Sequence, residues 1–335
     1  MNKLLYSLIN KINLSSYPQI KPLATEKNVS VELSNNNFIS PEINKRIMAG
    51  SFFHDKYKFT ANKSPIELNI YNPKRSVKLN KRIIDRIFVL CGFIDSSRPS
   101  AIDRPISIDI YVIDVPKKVK SKVLGPDDAN SGSTMMGSSS RHVMVWRKEE
   151  LLKVLIHELM HALDLDTFKN PTINKRVTDN FNINCAVHIT ESYTELMACV
   201  LNMLINMKDI GIPIELYSQL IQYELDHSCK KTHQILNHYG ITDFRELYRG
   251  INNNKYNEDT NIFMYYIVKS IMLYRHDRFI ELAIPKILGS SHSNFENLYL
   301  NLIFDILDNT DYITHINKLL KQRQNYTDFR MTYFG

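Results

Sequence analysis

No uncharged apolar run in the 335 residues approaches the roughly 18 needed to span a bilayer, so no membrane partner is expected. Met1 to Ile12 is interrupted by Lys3, Lys11 and asparagines and lacks the apolar stretch of a signal peptide. Export is therefore not expected, and the reading is an intracellular, cytoplasmic protein. Cysteine is scarce too. The four, Cys91, Cys185, Cys199 and Cys229, form no Cys-x-x-Cys pair and no framework spacing, which excludes a disulfide scaffold. Three of them sit in apolar helical surroundings and read as free core thiols of a reducing compartment. There is no repeat period and no long low-complexity tract. The net charge of +7 is spread along the chain. Its densest stretch, Lys117, Lys118, Lys120 and Lys122, reads as a solvated loop, so nucleic acid is not an expected partner.

What is present divides into three parts. Residues 1–60 are punctuated by Asn and Ser and read as an accessory or partly disordered segment. In residues 61–166 the signals sharpen. Ile66, Leu68 and Ile70 alternate as a strand, and Val77 to Phe93 is an amphipathic helix. Ile106, Ile108, Ile110 and Val112 alternate again, and His142 to Trp146 reads as a third strand after a Gly/Ser-rich segment, Gly125 to Ser140. Residues 167–335 show helical patterns at 180–207, 215–227, 230–238, 260–274, 277–288 and 295–307, with a break at Gly211-Ile212-Pro213. The fold class is thus α+β, with a mixed first lobe and a mainly α-helical second lobe.

Between the two lies His157-Glu158-Leu159-Met160-His161, inside a run from Glu149 to Asp166 that reads as one buried helix. At about 100° per residue His157 and His161 fall within about 40° of each other, and Glu158 borders the same face. Leu151, Leu152, Leu155, Ile156, Leu159, Met160, Ala162 and Leu163 fill the remaining arc. Two imidazoles on one face can hold a metal ion with a carboxylate beside it. With 11 His in the chain, such a pentapeptide arises by chance in roughly 2 of 100 sequences of this composition. Burying the same three groups as ordinary core residues would cost several kcal/mol, which favours a metal.

The motif resembles that of the zincins, in which Zn²⁺ sits on two neutral histidines and the Glu acts as general base on the metal-bound water. Catalytic zinc needs a third protein ligand and an open fourth position. The metzincin pattern would put Gly and then His or Asp where this chain has Asp164 and Thr167, so that branch is disfavoured. In the gluzincin branch the third ligand is a Glu on a later helix. Here Glu191-Ser192-Tyr193-Thr194-Glu195 follows, flanked by Ile189, Leu196, Met197, Val200 and Leu201, which argue for burial. The pair is similar to the gluzincin Glu-x-x-x-Asp pattern. By position the resemblance makes Glu191 the zinc ligand and Glu195 the carboxylate that orients a ligand histidine, with Glu where the family has Asp. The other register, Glu195 as ligand with Ala198 as its small neighbour, stays open.

The resemblance covers about residues 64 to 205 and implies further roles. Asn130-Ser131-Gly132 is similar to segments with which gluzincin edge strands bind substrate backbone, so Asn130 and Gly132 are substrate-binding candidates. A downstream Tyr or His stabilises the oxyanion in the family; Tyr265, Tyr266, His227 and His233 are the candidates here. The Trp146-Arg147-Lys148-Glu149-Glu150 lead-in and the richness in Asn, Ile, Lys and Tyr resemble zincin-like proteins of large DNA viruses. The implied activity is zinc-dependent hydrolysis of peptide or protein substrates. The alternative is an idle zincin fold serving as a virion-associated scaffold.

Overall fold

In a computed structural model of the chain, the described residues are 2–31, 39–94, 104–137, 140–181, 183, 185–248, 255–290, 293–322, 326 and 328–335. The period-2 alternation read from the sequence builds the centre of one sheet. Ile66, Leu68 and Ile70 of β3 (Ser64–Asn72) and Ile106, Ile108 and Ile110 of β4 (Ile106–Tyr111) all point into the core. β3, β4 and β6 (Arg141–Val145) run parallel, with Ile66 beside Ile106 and Ile106 beside Arg141. α3 (Val77–Cys91), capped by the Ser76 hydroxyl on the Leu79 amide, makes the crossover between β3 and β4.

The segment before residue 61 is built into the same sheet. It supplies α1 (Asn2–Lys11), β1 (Ala24–Val29), α2 (Pro41–Met48) and β2 (Phe52–Ala61), the last antiparallel to both β1 and β3. α2 lays Ile43 and Ile47 over the second face of the sheet, against Phe52, Tyr111 and Trp146. At the opposite end, β5 (Gly132–Met136) pairs antiparallel with β6 and closes the order β1-β2-β3-β4-β6-β5. Its sequence, Gly-Ser-Thr-Met-Met, lacks the β-branched alternation that marks a strand, so it reads as loop until β6 is there to pair with.

α4 (Leu151–Ala162) carries the two histidines. It is shorter than the run from Glu149 to Asp166 because the chain reverses at Asp164. That residue takes φ +53°, its N–H donates to His161 O at 3.1 Å, and the Leu165 N–H donates to Met160 O at 3.0 Å. This double bond pattern ends a helix by satisfying its last carbonyls. A non-glycine residue in that conformation costs roughly 1–2 kcal/mol, and the Arg141 guanidinium holds Asp164 at 2.9 Å.

The remaining helices are α5 (Ile173–Phe181), α6 (Ile189–Ile210), α7 (Tyr217–His238), α8 (Lys269–Tyr274) after a π-helical turn at Phe263–Val268, α9 (His276–Ile287), α10 (Phe295–Phe304) and α11 (Thr310–Leu320). Two expected boundaries move. Residues 180–207 are not one helix, since α5 ends at Phe181 and α6 begins at Ile189, whereas 215–227 and 230–238 fuse into α7. One apolar core runs from the α4 face of the sheet through these helices. All four cysteines are free, and three are buried. Among the described residues no helix is long and apolar enough to cross a membrane.

Residues 328–334 form no regular element yet are bonded into the interior. The Phe329 carbonyl accepts from Tyr266 Oη at 2.7 Å, the Met331 carbonyl accepts from Lys269, and the Thr332 N–H donates to Glu150 at 2.6 Å. Asn202 Nδ2 donates to the Phe334 carbonyl at 2.9 Å. The segment thereby passes among α4, α6, α7 and α8.

Candidate metal centre

The i, i+4 spacing on α4 brings His157 Nε2 and His161 Nε2 to 3.1 Å. α6 packs on that face and delivers Glu191 Oε2 to 3.2 Å from the first and 3.4 Å from the second. Three groups able to ligate a cation thus converge. Their spacing suits zinc: a tetrahedral site with bonds of about 2.0–2.1 Å has edges of about 3.3–3.4 Å.

Each imidazole is held from behind. His157 Nδ1 lies 3.1 Å from Glu195 Oε2, and His161 Nδ1 lies 2.5 Å from Asp166 Oδ2. A neutral ring that donates its Nδ1–H to a carboxylate presents a lone pair at Nε2, the form a metal requires. The carboxylates are themselves seated. Thr194 Oγ1 donates to Asp166 at 2.7 Å, and the Lys153 ammonium spans both Glu195 oxygens at 2.8 and 2.9 Å. Of the two acids in the open register, Glu191 is the one that reaches both Nε2 atoms, whereas Glu195 sits on the far nitrogen of His157.

The carboxylates make this face attractive to positive charge. Burial opposes charge on His157, but hydrogen bonds to Glu191 and Glu195 outweigh it and raise its pKa. Burial likewise disfavours the His161 imidazolium, yet Asp166 and Glu191 carry its pKa well above the ordinary value. Burial would raise Glu191, and the two imidazoles instead bring it far below the usual carboxylate range. Among the described residues none of Glu158, Glu191 and Asp166 has a Lys or Arg partner, so the face is short of positive charge. A divalent cation would supply what is missing, and the donor set fits one.

Glu158 stands beside this cluster. Its Oε2 accepts from Thr134 Oγ1 of β5 at 2.8 Å, and burial raises its pKa. Gly132 leaves it room, because a Cβ there would lie 2.6 Å from Glu158 Oε1 and 2.8 Å from Val154 Cγ1. Gly132→Ala is expected to lower stability by about 1–3 kcal/mol, the usual range for overpacking, while leaving the metal ligands untouched. Thermal unfolding and zinc content measure the two halves; an unchanged melting temperature would contradict the tight fit. A cavity of about 30 Å³ opens between Gly132, Val154, Glu158, Tyr265 and Met331, with room for about one water molecule.

The other candidates divide. The Tyr265 ring lies 5.9 Å from that of His157, edge-on, and its hydroxyl bonds Glu191; burial first, then the charge of Glu191, raises its pKa well above 10. Tyr266 is turned away, since neighbouring helical residues point about 100° apart. Its ring stacks on Phe329 at 4.6 Å, and its hydroxyl donates to the Phe329 carbonyl. His227 bonds the Arg330 carbonyl and His233 bonds Tyr326, so neither joins the cluster. Asn130 lines the cavity beside Glu158, with its Oδ1 taken by Thr260 at 3.3 Å. The lysine stretch needs correction: Lys117 is fully buried and pairs with Glu150 at 2.7 Å, because Glu150 at the start of α4 would otherwise be an unpaired buried charge.

Sequence reasoning missed Asp166, Thr194, Thr134 and Lys153. Asp166 left a usable signal, an acid five residues beyond the second histidine. Lys153 stands four residues before the first, on the same stripe.

No protein-family model matches the chain, and no solved structure matches it. A stretch of 70 residues, 21% of this chain, is 37% identical to the uncharacterized protein R210 of Acanthamoeba polyphaga mimivirus, a large DNA virus. The match spans 18% of that protein's length.

Proposed function

We propose that the chain is a zincin-like zinc metallopeptidase of the gluzincin type, with zinc held by His157, His161 and Glu191. The observation that carries this reading is the convergence of His157 Nε2, His161 Nε2 and Glu191 Oε2 at 3.1, 3.2 and 3.4 Å, with a carboxylate behind each ring. Bound zinc would polarise the scissile carbonyl and lower the pKa of an attacking water from about 15.7 towards 7.

The chain's own groups do the rest. Glu158, raised in pKa by burial and steered by Thr134, takes the proton of the water and passes it to the leaving amine. Tyr265 keeps its proton at neutral pH and, on turning its O–H away from Glu191, donates to the oxyanion that forms beside His157. β5 borders α4 and, among the described residues, has strand pairing on one side only, so a substrate in extended form adds to its free edge near Asn130 and Gly132.

The test is a zinc titration followed by incubation of the loaded protein with a broad peptide library, read by mass spectrometry. One zinc per chain and cleavage that stops with chelator and returns with zinc are expected. Zinc uptake with no cleavage of any peptide would favour the idle scaffold, and absence of uptake would remove the metal centre altogether.

A further inference from the structure

The candidate metal face rests on a second group of charges behind it. Three lysines, Lys117, Lys153 and Lys269, and three glutamates, Glu150, Glu195 and Glu224, are all buried. Lys117 pairs with Glu150, and Lys269 lies 3.3 Å from Glu224 and 3.8 Å from Glu195. Lys153 is the member nearest the site. Its ammonium bridges both oxygens of Glu195 and also meets Met331 Sδ at 3.7 Å, so all three of its N–H groups have a direction to point.

We infer that Lys153 is a positioning residue of the metal centre, acting only through Glu195. The argument is geometric. Glu195 is flanked on one side by His157 Nδ1 at 3.1 Å and on the other by Lys153 at 2.8 Å, with Lys269 farther off at 3.8 Å. A buried carboxylate that lost its close bridging cation, keeping only Lys269 beyond hydrogen-bond reach at 3.8 Å, would be drawn towards the metal, where it would compete with Glu191 for the same charge. Lys153 holds Glu195 one nitrogen away, which fixes the His157 tautomer and leaves the ligand place to Glu191. The inference rests on the zinc reading above, though not on peptidase activity.

Lys153→Met should therefore weaken zinc by about 10- to 100-fold, the range seen when support behind a ligand histidine is lost. Lys153→Arg, which keeps the charge on Glu195, should recover most of it. The decisive comparison is a cycle with Glu195→Gln, read as the zinc dissociation constant by competition with a chromophoric chelator. If Lys153 acts through Glu195, adding Lys153→Met to Glu195→Gln changes the constant by less than about twofold, because there is no charge left to hold. The double variant removes both members of the ion pair, so it folds even where Lys153→Met alone does not. A further tenfold loss in the double variant, or full affinity in Lys153→Met, overturns the inference. Absence of zinc binding by the unmodified chain overturns the proposed function and this inference together.

Discussion

Alanine in place of His157 or His161 is expected to leave the purified chain without stoichiometric zinc. Each substitution removes one of the three proposed ligands, together with the ring that Glu195 in one case and Asp166 in the other holds from behind. Glu191→Ala should be as damaging, since Oε2 of Glu191 is the contact shared by both Nε2 atoms. Glu195→Ala belongs to a different class: it removes an orienting acceptor, and a loss of about 10- to 100-fold in affinity is expected. Elemental analysis after dialysis, with chelator competition for the weaker variants, ranks the four. A histidine variant that keeps a full zinc complement, or a larger loss for Glu195→Ala than for Glu191→Ala, would refute the assignment of ligands.

Glu158→Gln should do the opposite, sparing the metal and removing the chemistry. Glutamine fills the same space over Gly132 and can still bond Thr134, so zinc content and melting temperature should stay close to those of the unmodified chain. What is lost is the basic oxygen. Peptide hydrolysis should then fall by at least the roughly 10²- to 10⁴-fold assigned to general-base catalysis. The comparison is made at equal zinc loading, on whichever peptide the library returns as cleaved. Equal rates in the two proteins would mean that Glu158 moves no proton.

Much of this site was legible because its carriers are periodic. The i, i+4 pairs His157/His161 and Glu191/Glu195 lie on strongly apolar helices, so spacing alone fixed which face each shared. The α+β class followed from the same signals, alternation at Ile66 to Ile70 and Ile106 to Ile110. What was not legible depended on distant pairing. β5 is a strand only because β6 lies beside it, and Gly132 matters only because Glu158 packs over it. Lys117 read as solvated because a lysine run carries no sign of the Glu150 that meets it 33 residues later. The end of α4 was misplaced because Asp164, not a glycine, makes the left-handed turn. That turn is also what swings Asp166 back onto His161.

The passage of residues 328–334 through the interior bears on the timing of biosynthesis. Met331 meets Lys153 across 178 residues of chain, and Thr332 meets Glu150 across 182. At about 5–20 residues per second, a ribosome needs roughly 10–40 s to make that stretch after α4 has emerged. Until residues 331 and 332 are made, Lys153 and Glu150, and later Glu224 and Lys269, lack partners that the finished molecule gives them, and contacts of such separation form late. The charged group behind the candidate metal face therefore gains these last partners only once residues 328–334 have been made.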